Sequence, residues 1–104
     1  MSVREWLSAR VPAQPPALSR RIAELAAPFD ARPGDLPDRC LAAAVAGLRR
    51  LLEEPESSRA GALDLLAVDA LVTYAFEAAS DDPERIPALA TQALHQLSAL
   101  ASRS

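Results

Sequence analysis

Residues 60 to 80 constrain this chain more than any other stretch, because a helix through them is apolar nearly all the way round. At the roughly 100° spacing of an α-helix, Asp69, Thr73, Glu77 and Ser80 share one strip about 80° wide. Leu63, Leu65, Leu66, Ala67, Val68, Ala70, Leu71, Val72, Tyr74, Ala75, Phe76, Ala78 and Ala79 fill most of the rest. Such a helix must be covered on two or more sides. Its cover is either the N-terminal part of the same chain or a second copy of it.

The remaining residues agree on helices. Of 104 residues 23 are Ala and 16 are Leu, whereas Val (5), Ile (2) and the four aromatics are too few to furnish a sheet. The expectation is a single all-α domain, a small antiparallel helical bundle of three core helices plus one or two shorter N-terminal ones.

Prolines and caps mark the helix ends. Ser2-Val3-Arg4-Glu5 reads as a capping box opening a short helix to about Arg10, with Val3, Trp6 and Leu7 on its face. Pro12, Pro15 and Pro16 force an extended connection to a second helix, Pro16 to Ala27, which Pro28 stops. The loop 28–35 is the clearest break, and it separates an arm (1–35) from a three-helix core (36–104). Asp35 caps a helix from Leu36 or Pro37 to Glu54. Pro55 and Ser57-Ser58 precede a helix ending at Ala79 or Ser80, and Asp81-Asp82-Pro83-Glu84 starts a last helix to about Ala101. Pro87 either kinks that helix or marks its true start.

Charge and cysteine content narrow the function. Eleven Arg and no Lys stand against fourteen acids, net −3, and residues beyond 27 sum to −5. Only Arg20-Arg21 offers a basic pair, and Glu24 can neutralise Arg20 one turn on, so no nucleic-acid partner is expected. One Cys and one His exclude a zinc signature and an internal disulfide, and no other cofactor is implied. The N-terminus lacks the apolar segment of a signal peptide, and Ile86 to Ser102, though uncharged, carries Thr91, Gln92, His95, Gln96 and Ser98. A soluble cytoplasmic protein with no membrane partner is the expectation.

No catalytic constellation stands out. Asp69 and Glu77 share the polar strip but lie roughly 12 Å apart along the helix, too far to act as a pair without another helix. His95 is expected to face solvent and Cys40 to be a buried thiol. Asp64 is the candidate buried acid: it lies in the apolar arc of the 60–80 helix and needs an Arg partner, a capping role, or an exposed place at the helix start. An Arg across an interface is one form of that pairing. Trp6 either pins the first helix to the bundle or belongs to a docking arm.

Leu65 to Arg85, LLAVDALVTYAFEAASDDPER, resembles the helix of isoprenyl (polyprenyl) diphosphate synthases that reads L-A-G-D-A-L-L-T-x-A-F-E. Leu66, Ala67, Asp69, Ala70, Leu71, Thr73, Ala75, Phe76 and Glu77 match, and Val68 replaces the Gly. In that family the segment is mostly a packing helix, and D-D-x-x-D-type motifs do the chemistry. Here Asp81-Asp82-Pro83-Glu84-Arg85 ends in Arg where the motif needs an acid. The resemblance therefore implies no prenyl transfer, only an accessory or ligand-binding helper in isoprenoid metabolism.

The leading expectation is a non-catalytic protein-protein assembly module, homodimeric or bound to another protein. Its candidate interface is Leu63, Leu71 and Tyr74 together with a lane of small residues, Ala42, Ala43, Ala46 and Gly47, which would let another helix approach closely.

Overall fold

The computed structural model describes residues 2–9, 14–54 and 59–102, with the backbone alone at 59 and 60. They form five α-helices and no strand: α1 (Val3–Ser8), α2 (Pro16–Ala26), α3 (Leu36–Glu53), α4 (Arg59–Ala79) and α5 (Arg85–Ser102). A 3-10 turn, Ala27–Phe29, extends α2. Arg10, Pro12, Pro55 and Ser57-Ser58 lie outside the described residues.

The caps read from the sequence have their physical counterparts. The Ser2 hydroxyl accepts from the Glu5 amide at 3.0 Å and donates to the Glu5 carboxylate at 3.2 Å. Asp35 accepts from the Asp38 amide at 3.0 Å, and Asp38 returns the bond to the Asp35 amide at 3.3 Å, a capping box that satisfies two otherwise orphaned donors. Pro87 sits in the first turn of α5, where a missing amide hydrogen leaves no bond unmade, and the preceding residues through Glu84 form the turn rather than the helix.

Helices α3 and α4 share the most extensive packing in the molecule, and the short connection between them makes the pair an antiparallel hairpin. Helix α2 lies across both, contributing Ile22, Leu25 and Ala26 to the buried core, and α5 packs on α3 and α4 over a smaller area. This redraws the expected division into arm and core. The first two helices are part of the core, with Val3 fully buried and Trp6 packed edge-on to Tyr74 of α4, ring centroids 5.7 Å apart.

Gly47 is where three helices converge. A Cβ placed there would stand 2.8 Å from Val68 Cγ2 of α4 and 3.5 Å from Leu25 Cδ1 of α2, so only glycine permits this approach. The loop between α2 and α3 is likewise tied down rather than loose. Phe29 is buried, Asp30 accepts from the Val3 amide at 2.8 Å, and Gly34 turns the chain at φ 118°, a value that side-chain-bearing residues rarely adopt.

Candidate functional site

The chain itself covers one side of α4, while Leu65 and Leu66 on the other stay exposed. Leu71 is fully buried and Tyr74 nearly so, and the Tyr74 hydroxyl accepts a hydrogen bond from the Gln14 amide at 2.9 Å. Ala43 and Gly47 are buried too, with Gly47 against Leu25 and Val68. Leu71, Tyr74, Ala43 and Gly47 therefore do not form an open face for a second copy, because α2 and α4 already occupy the lane. Leu63, Ala42 and Ala46 are half-buried at its margins.

Asp64 is held within the chain. Arg21 of α2 grips it with two parallel bonds, Nε to Oδ1 at 2.5 Å and Nη2 to Oδ2 at 3.1 Å. Both carboxylate oxygens are engaged by this one guanidinium, so the charge of Asp64 is answered within the chain. The same hydrogen bonds hold the Arg21 guanidinium pKa above its ordinary value. Glu24 pairs with Arg21 at 3.4 Å rather than with Arg20.

The other groups singled out do not converge. Asp69 and Thr73 are exposed, and the Thr73 hydroxyl is turned back to donate to the Asp69 carbonyl at 3.1 Å. His95 is exposed. Cys40 is fully buried, and burial, reinforced by the charge of Asp30, pushes its thiol up to about 12, so it is protonated and unreactive at neutral pH. Among the described residues no cluster of three or more His, Cys, Asp or Glu is placed to hold a metal ion. None of the described helices is long and apolar enough to cross a membrane.

Apolar side chains remain uncovered at Leu52 of α3, at Leu65 and Leu66 of α4, and in a continuous stripe along α5. Its buried stripe is Leu89, Ala93 and Leu100, and beside it runs a second apolar stripe of Ile86, Ala90, Leu94, Leu97 and Ala101. Leu94 is 68% exposed and Leu97 39%. The two stripes together span about 140° of the helix, more than one packing surface covers. The sequence carried the signal in the uncharged run from Ile86 to Ser102.

The whole surface is correspondingly large. The accessible area is 6633 Å², where a compact monomer of this mass exposes about 5,600 Å². The radius of gyration, 13.4 Å, likewise exceeds the roughly 12.8 Å of a compact chain of this length.

Compared with known proteins, the chain matches no family model, no curated protein and no solved structure.

Proposed function

We propose that this chain is a non-catalytic assembly module that pairs with a second copy of itself, α5 against α5. The observation that carries the reading is the uncovered stripe Ile86–Ala90–Leu94–Leu97–Ala101 on a helix with no charged residue from Ile86 to Ser102. A two-fold pairing sets each patch against its own copy, and like charges facing one another would oppose it. Here none do, and a charged partner would find nothing to answer it.

The test is sedimentation equilibrium from low to high micromolar concentration. The wild-type chain is expected to dimerise and Leu94→Glu to stay monomeric. Because Leu94 is largely exposed, the monomer's own stability should change by less than about 0.5 kcal/mol. A wild-type chain that is strictly monomeric throughout this range removes the proposal.

A further inference from the structure

A cleft of about 480 Å³ opens between the loop before α3, the first turns of α3, and α5. Its wall holds two guanidinium groups, Arg32 and Arg39, each fixed by a neighbour. The Arg32 guanidinium lies over the ring of Phe29, 4.7 Å from its centroid, and Phe29 is itself buried. Arg39 donates from Nε to the Arg32 carbonyl at 3.1 Å, which aims its fork, and among the described residues its Nη groups have no hydrogen-bond acceptor. Among the described residues, neither arginine has a carboxylate partner.

The one acid in the wall, Asp38, shares the Arg85 guanidinium with Asp35. It accepts from Arg85 Nη2 and from the Asp35 amide. The cleft therefore keeps two cationic forks in a chain whose net charge is −3. The Phe29 ring edge and Ala42 supply apolar wall beside them, and Gln92 of α5 adds an amide.

Fixed guanidinium forks match the oxygens of carboxylate or phosphate, and the volume falls in the range of small-molecule pockets. We propose that this cleft binds a small amphipathic anion, an oxyanion head held by Arg32 and Arg39 with a compact apolar body against Phe29 and Ala42. Gln92 lies on the side of α5 opposite the Leu94 stripe, so the cleft is independent of the self-pairing proposed above and remains open in such a dimer.

The experiment is an amide and arginine Nε–Hε NMR titration of the full chain with benzoate, phenyl phosphate, inorganic phosphate and neutral benzamide. Benzoate or phenyl phosphate should give saturable shifts at residues 29–42 and at Gln92 at millimolar concentration or below, and the stronger of the two identifies the head group. Arg32→Gln and Arg39→Gln should each weaken binding about tenfold or more, and Arg49→Gln, on the exposed part of α3, should not. Among the described residues Arg32 makes no hydrogen bond through its side chain, so its variant separates loss of binding from loss of the loop. The proposal is overturned by no saturable shift with either organic anion. It is equally overturned if benzamide or inorganic phosphate alone does as well, or if the Arg32→Gln chain, folded as judged by its spectrum, binds unchanged.

Discussion

Asp64, expected as a buried acid and found half-buried, shows how a residue singled out by its helical angle still waits on the fold for its partner. The helical angle of Asp64 puts a carboxylate among apolar neighbours, and the energy of a buried charge then demands a cation. Which of eleven arginines supplies it depends on how α2 crosses α4, and no spacing in the sequence encodes that. Asp64→Ala leaves Arg21 without its bidentate acceptor and should lower stability by about 1.5–3 kcal/mol in urea melts, with Arg21→Met costing much less when made in the Asp64→Ala background. Near-additive losses in the double variant would show that the two side chains do not interact. Gly47 makes the complementary point about size. Gly47→Ala gains about 1 kcal/mol of helix propensity but forces a methyl to within 2.8 Å of Val68 Cγ2, and the net effect should be a loss of about 1 kcal/mol. Val68→Ala should recover part of that loss, which thermal denaturation of the single and double variants measures. The small-residue lane around Gly47 was visible in the sequence, but its occupant was not: close approach of a helix looks the same whether that helix belongs to this chain or another.

At the scale of elements, helix boundaries were the most legible feature, because caps and prolines act locally. Asp35 is the clearest example. Its role as the cap of α3 follows from the residues beside it, whereas its bidentate ion pair with Arg85, at 2.9 and 3.2 Å, joins residues fifty positions apart. That pair, with Arg85 also donating to Asp38, clasps the start of α5 to the start of α3. The Arg85 hydrogen bond, helped by the Asp38 amide, holds the Asp35 carboxyl down at about 2, below its ordinary value near 4. A depressed carboxyl stabilises the folded state fully above its unfolded pKa, and this contribution is lost as pH falls from about 4 through about 2. Melting temperatures followed from pH 5 to pH 2 should therefore fall more steeply for wild type than for Asp35→Asn, which keeps a capping side chain but no titrating charge. Parallel curves would mean that the clasp contributes nothing in this window. Cys40, buried near the start of α3, supplies a check on the same element: with its thiol at about 12 it should resist a disulfide reagent at pH 8 until denaturant is added.

For the whole molecule, composition sufficed for the class of fold, since a chain this rich in Ala and Leu has few other ways to bury itself. Composition did not say which apolar face would stay outside. The 60–80 helix has the greater apolar surface, yet α2 and α3 enclose only part of it, and large apolar side chains stay exposed at Leu65 and Leu66 of that helix as well as at Ile86, Leu94 and Leu97 of α5, the last helix. Coverage is a property of all five helices at once, so it could not be read from any one of them. Helix α5 is thus tethered by the Arg85 clasp at one end and anchored along its length by only Leu89, Ala93 and Leu100. An element so attached should open as a unit at a free energy below that of global unfolding, and its amide hydrogens should exchange with solvent before those of α3 and α4. If a second copy docks on its outer stripe, that opening must first release the copy. Exchange in α5 alone then slows as the protein is concentrated, so the backbone of one helix would report the encounter of two chains.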